Sequence, residues 1–247
     1  MTRWKASLIH VLISLAIVGT VASYIIYFWY PPALIHMAKA DRLLMLIGGV
    51  DLVIGPLLTL IVFKPGKPSL RFDLSVIAIL QIGFLSFGLH SIHASRPVFL
   101  VASASRFDMV FANEISEERL VKASDPRFAS LGFAKPVLVG AKMPSDTAVK
   151  RQILFSALSG AGDLETMPQY YVDYSQIVPD LMRHALPVRS GAGMPDAVVR
   201  VIEDAAAGYG KKPDEVRVLR LGSSRGFAVM LVEAGTGKVV GPVGVDF

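Results

Sequence analysis

Apolar and polar positions are distributed in two different ways along this chain, and the change comes near Ala94. Before it, apolar residues form three long runs, Ser7–Tyr30, Leu43–Phe63 and Leu74–Ile92, with most charges gathered at their ends. Each approaches the roughly 20 residues that a helix needs to cross the hydrocarbon core of a bilayer. The first closes on Phe28-Trp29-Tyr30-Pro31-Pro32, an aromatic belt followed by residues that cannot continue a helix. It outruns the roughly 7–15 apolar residues of a secretory signal, so it reads as an uncleaved span, with cleavage near Ala22 the lesser alternative.

From Ser95 the periods shorten. Val98–Ala102, Phe107–Ala112 and Val137–Met143 read as strands, and Ser116–Lys122 as a short helix. Pro144-Ser145-Asp146 opens a helix that runs to Leu158, with Val149, Ile153, Leu154 and Ala157 on one buried face. Ile177–Leu186 and Asp196–Ala207 read as further helices, the second stopped by Gly208, while Tyr170–Tyr174 fits neither state. Glu215–Leu221, Phe227–Val232 and Lys238–Val240 are separated by turns at Ser223–Gly226 and Gly235–Gly237, which predicts an antiparallel meander. The expected class is α+β: a three-helix transmembrane bundle over residues 1–94, then an extracytoplasmic α+β domain over residues 95–247 with an antiparallel sheet.

Composition changes this picture through its unevenness. The chain is 53% hydrophobic and 18% charged with a net charge of +5. Ser95–Phe247 holds 18 Lys and Arg against 17 Asp and Glu, so +4 of the net charge lies in the first 94 residues. That basicity is a membrane-topology signal and gives no reason to expect nucleic acid as a partner. Arg3 and Lys5 hold the N-terminus in the cytoplasm, and Lys64, Lys67 and Arg71 mark a cytoplasmic loop that also meets anionic headgroups of the lipid bilayer. Lys39 and Arg42 pull the other way, and the nearby Asp41 counts for little. On balance the third span exits, and in a Gram-negative cell the C-terminal domain is periplasmic.

Asp51 lies deep inside the second run, where an ionised carboxylate costs roughly 2.5–3.5 kcal/mol on insertion scales. It therefore calls for a partner. Gly48 and Gly49 before it and Gly55-Pro56 after it allow a close backbone approach and free carbonyls at a kink. Gln81 on the next span reaches a similar depth. Two roles follow for this group: an internal hydrogen bond that fixes the helix packing, or contact with a partner's transmembrane helix. Asp73 opens the third helix and reads as a cap that favours its dipole.

Chemistry is otherwise sparse. With no cysteine, disulfides, thiol catalysis and cysteine-based metal sites are excluded. His90 and His93 share a helix face without a third ligand, and His184 with Asp180 reads as a surface pair. No nucleophile elbow, P-loop or zinc-protease motif is present. Glu117, Glu118, Asp163 and Glu165 read as solvated carboxylates, and Tyr170, Tyr171, Tyr174 and the Ser223–Gly226 turn as packing or a binding surface. No cofactor and no enzymatic activity are expected.

The stretch GVDLVIGPLLTLIVFKPGKPSLRFDLSVIAILQ, Gly49–Gln81, resembles the signature of the type IV pilin accessory proteins, the TfpX/TfpZ family. Arg3-Trp4-Lys5, Trp29-Tyr30-Pro31 and Arg96-Pro97-Val98 are similar to that family's other ordered motifs. The likeness covers about the first 115 residues well. Where the family has an acidic residue ahead of Arg-Phe, this chain has Ser105, with Asp108 after Phe107. The resemblance implies a bacterial inner-membrane protein that works beside its cognate major pilin, and with other inner-membrane pilus assembly components. It would affect pilin levels, assembly or the balance of extension and retraction. Asp51, with Gly48, Gly49, Gly55, Pro56 and Gln81, would then form the groove receiving the pilin helix. The alternative is a membrane-anchored periplasmic sensor for a small ligand, which would offer the cytoplasm only Met1–Lys5 and the loop near Gly66. An anchored enzyme is the third class, disfavoured by the missing motifs.

Overall fold

The computed structural model describes residues 2–30, 34–188 and 194–244. Two compact units divide them: residues up to 30 with 39–95, and residues 34–38 with those from 96 onward. Pro31 and Pro32, expected to close the first helix, lie outside the described residues.

In the first unit α1 (Arg3–Phe28) starts where the Thr2 hydroxyl oxygen accepts the Lys5 amide at 3.3 Å, an N-cap. α2 (Ala40–Gly49) continues through a π-helical turn, Val50–Ile54, into α3 (Gly55–Val62), so Ala40–Val62 forms one rod. α4 (Leu70–Ala94) follows the basic turn. All three rods are long and apolar enough to cross a membrane. Ile13, Ile61, Ile79 and Phe87 are each more than half exposed on their outer faces. Lipid tolerates such a surface and water does not.

Pro56 explains the π turn. It has no amide to give the Leu52 carbonyl, and its ring crowds the preceding turn. The turn widens, and the Gly55 amide reaches back to the Val50 carbonyl, five residues away. Small residues then set the spacing of the rods. At Gly48 a β-carbon would already touch Val18 of α1, and Gly88 of α4 leaves the space that Ile47 fills. Such close approach drives helix association where lipid removes the hydrophobic incentive.

The second unit is an eight-stranded sheet. Its strands are β1 (Pro97–Ala102), β2 (Phe107–Phe111), β3 (Val137–Ala141), β4 (Tyr171–Val172), β5 (Leu186–Pro187), β6 (Val216–Gly222), β7 (Phe227–Glu233) and β8 (Val239–Val243). The order is β4-β3-β1-β2-β6-β7-β8, with β5 also paired to β6. The expected meander of β6, β7 and β8 is present, but the sheet is mixed and not antiparallel throughout. β1 runs parallel to β3, and β2 parallel to β6. Both parallel pairs need long crossovers, and alternation along a strand carries no information about its distant neighbour.

Two apolar cores flank the narrow β2–β6 junction, which pairs only Phe107 with Leu221 and Asp108 with Gly222. One gathers Phe99, Val101, Val139, Ile153 and Tyr171. The other lies under α8 (Asp196–Gly208), whose Val198, Ile202 and Ala206 recur every four residues against Val216, Val218 and Leu231. α5 (Glu117–Leu120), α6 (Thr147–Leu158) and α7 (Val178–His184) complete the unit. α7 ends before Leu186, which the sequence placed in a helix and the fold places in β5. On α6 the Asp146 carboxylate caps the Ala148 and Val149 amides as expected, yet Leu154 faces out and not into the core.

Candidate functional site

The π turn leaves the Asp51 carbonyl without its usual helix donors, because Gly55 bonds Val50 and Pro56 has no N–H. The Gln81 side-chain amide fills that place. Its Nε2 donates to the Asp51 carbonyl at 3.2 Å and lies 3.4 Å from the Asp51 carboxylate. The other end of Gln81 extends the chain: Oε1 is 2.7 Å from His10 Nε2, and His10 Nδ1 is 2.6 Å from the Thr59 hydroxyl. Ser7 donates to the Pro56 carbonyl at 3.0 Å. One polar line thus joins α1, the π turn, α3 and α4. Gly55 is part of it, because any side chain there would run into Gln81.

This line borders a cavity of about 430 Å³ within the helical unit. Ile9, Ile13, Ile17, Ile82 and Leu85 supply apolar wall, while His10, Thr59, Asp51 and Gln81 supply its polar patch. The volume falls in the roughly 300–1,000 Å³ range of ligand-sized pockets. Ile13 and Ile17 are about half exposed, so the cavity opens at the unit's surface. Polar groups grouped in this way inside apolar spans mark functional positions in membrane proteins.

The structure therefore brings Asp51, Gly55, Pro56 and Gln81 together. Gly48 instead packs on Val18, and Gly49 faces open space. His10, Thr59 and Ser7 escape a motif search. The signal available for them is His10 itself, an ionisable side chain inside an apolar run. At the basic turn, Lys64, Lys67 and Arg71 are exposed. Asp73 does not cap free amides. The helix begins three residues earlier, at Leu70, so Asp73 meets Lys67 Nζ at 2.6 Å and accepts from the Ser69 hydroxyl.

The other sequence candidates have structural roles. The His93 ring meets Trp29 edge-on at 5.0 Å, and no metal-binding group of three ligands occurs among the described residues. His184 contacts the Asp180 carbonyl, and the Asp180 carboxylate goes to Arg183. Tyr171 is buried with its hydroxyl on the Glu165 carbonyl, and burial raises its pKa. Tyr174 donates to Gly237, and burial pushes its phenol up to about 12. In the Ser223–Gly226 turn, Arg225 stacks on Phe111 at 3.6 Å and donates to the Ala38 carbonyl, holding residues 34–38 on this unit.

Asp163 and Glu165, expected to be solvated, instead join Asp108 around Arg106. Arg106 lies 2.8 Å from Asp108, 3.5 Å from Asp163 and 3.7 Å from Glu165. The chain folds them together because β2 carries Asp108 beside the β6 junction while the loop ahead of β4 brings Asp163 and Glu165 over it. Burial, reinforced by the neighbouring Asp108 and Asp163 charges, pushes Glu165 up to about 7. Burial likewise raises Asp108 against the opposing pull of Arg106.

Three known proteins are similar to this chain. It is 27% identical over 186 residues to the fimbrial assembly protein, serogroup I, of Dichelobacter nodosus, covering 74% of this chain and 72% of the relative. The serogroup E1 protein of the same organism is 26% identical over 186 residues with the same coverage. The protein of serogroups C1 and C2 is 31% identical over 121 residues, 48% of this chain and 92% of that relative. No family model matches the chain, and no solved structure matches it. Since it covers nearly all of that last relative at such identity, the chain belongs to the family of fimbrial assembly proteins.

Proposed function

We propose that this protein is a type IV pilin accessory protein of the TfpX/TfpZ kind. It acts without enzymatic activity in the bacterial inner membrane, where it receives the transmembrane helix of its cognate major pilin. The observation that carries the reading is the apolar cavity with its His10–Gln81–Asp51 border. A pilin subunit before assembly is an apolar helix with a globular head. Its helix can lay one face of side chains against the Ile13 and Ile17 mouth, with the polar line fixing its depth. The head would meet the C-terminal domain on the periplasmic side.

Topology agrees with this reading. Residues 34–38, between the first two spans, belong to the same unit as the described residues from Arg96 onward. A cytoplasmic N-terminus and three crossings put those two segments on one side of the membrane. The basic turn at Lys64, Lys67 and Arg71 then stays inside.

Site-specific photocrosslinking in cells tests the proposal. A crosslinker at Ile13, Ile17 or Ile82 should capture the major pilin, and one at Phe87, which does not line the cavity, should not. Gly55 is unsuitable for the probe, because Gln81 occupies its side-chain space. Co-purification of pilin with an Asp51→Ala variant at wild-type yield would remove Asp51 from the site. Absence of pilin adducts at all three positions would sink the groove.

A further inference from the structure

α6 has apolar residues on both of its faces. Val149, Ile153 and Ala157 turn inward, with Ile153 only 3% exposed. Arg151, Leu154, Phe155 and Leu158 stand at i, i+3, i+4 and i+7, which is one face of a helix, and that face is outward. Leu154, Phe155 and Leu158 are 58%, 67% and 75% exposed. Lys150 and Arg151 flank them, and Thr147–Leu158 contains no acidic residue. Folding of the domain alone does not account for a Leu-Phe-Leu cluster in water. Neither does it explain why the charges beside that cluster share one sign.

We infer that the outward face of α6 is a membrane-surface anchor: Leu154, Phe155 and Leu158 enter the headgroup–acyl boundary while Lys150 and Arg151 bind anionic lipid headgroups. An interfacial helix combines an apolar face with basic residues beside it, and its binding grows with buried apolar area and headgroup charge. The bilayer is the occupant favoured by charge. Lys150 and Arg151 match an anionic lipid surface, and only Ser95 and Arg96 separate α4 from β1 in the chain. The inference rests on the reading that the three apolar helices span a membrane.

The absence of cysteine makes the test direct. The full chain, reconstituted in vesicles containing phosphatidylglycerol, is labelled through Phe155→Cys with an environment-sensitive fluorophore. Asp214→Cys serves as the aqueous control, and Phe84→Cys, on the exposed face of α4, as the lipid control. The label at position 155 should shift to the blue and lose intensity to spin-labelled lipid. Both effects should fall in pure phosphatidylcholine or when Lys150→Glu and Arg151→Glu are added. Quenching at 155 by aqueous iodide alone, as at 214, overturns the anchor. Shielding from both quenchers also overturns it, since protein would then cover the face. Equal lipid quenching in neutral vesicles overturns the anionic-headgroup assignment. Failure of lipid quenching at 84 removes the spanning reading itself, a result distinguishable from the others.

Discussion

The helical unit and the sheet unit treat their polar groups in opposite ways. In the helical unit His10, Thr59, Gln81 and Asp51 bond one another across helices, and each group is used by the next. In the sheet unit three carboxylates crowd Arg106, with Arg220 also acting on Asp108, so carboxylates outnumber the cations. Solvent makes the difference. A bilayer offers no water to an unmatched polar group, so a polar line inside it must be nearly closed. A cleft that water reaches can hold unbalanced charge by keeping a proton on one member.

Apolar side chains divide along the same boundary, and here the largest effect is expected. Phe99 is fully buried in the sheet unit, its ring meeting Tyr171 at 5.2 Å. Phe99→Ala should destabilise that unit by about 3–5 kcal/mol. Hydrogen exchange of the β1 and β3 amides in the full chain reads this directly. Phe87→Ala on α4 removes a ring of the same size from a site that is 72% exposed. In a bilayer it should leave the helical unit almost unchanged, because lipid replaces the lost contacts. Equal losses from the two substitutions would break the comparison.

Breaking the polar line comes next. Gln81→Leu strands the Asp51 carbonyl and His10 Nε2 together. Leaving a buried group unsatisfied costs about 1–3 kcal/mol in water-soluble proteins, whereas single interhelical bonds in membranes average about 0.6 kcal/mol. With two groups stranded, a loss of about 1–2 kcal/mol is expected. Unfolding of the reconstituted helical unit in graded denaturing detergent would measure it. A neutral outcome would mean that water already enters the cavity and serves these groups.

The legible parts of the molecule were those set by local pattern. Run length gave the three rods, and Pro-Gly punctuation placed the turn between α3 and α4. Alternation in the tail identified β6, β7 and β8. Gln81 and Asp51 match by depth alone, since antiparallel rods align residues at equal distance from a shared turn. Other features follow from no local period. The β2–β6 pairing joins residues more than a hundred positions apart, which no local period encodes. Asp163 and Glu165 acquire their environment only when that junction closes. Leu154 reads as core by helical spacing, although a neighbouring residue on the wheel already fills the inward position.

Glu165 gives an effect no larger than that of the polar line, although its sign is well defined. Its carboxyl, ordinarily near 4.5, is pushed up to about 7 by burial and by the Asp108 and Asp163 charges, against the pull of Arg106. Between those values the folded chain keeps a proton that the unfolded chain has lost. The stabilising contribution is therefore complete below about pH 4.5 and disappears as pH rises through about 7. The raised Asp108 acts in the same direction. Glu165 is 23% exposed and its titration is coupled to its neighbours, so the loss across the window should be about 1–2 kcal/mol, below the full value of the shift. Glu165→Gln carries no charge at any pH and should flatten the decline, leaving the variant more stable than the parent above neutrality. Exchange rates of the β2 amides at pH 4.5 and 7.5 would show it. A parent whose sheet unit grows firmer with rising pH would mean that water screens this cluster as fully as any surface carboxylate, and the contrast with the closed line in the helices would then narrow to geometry alone.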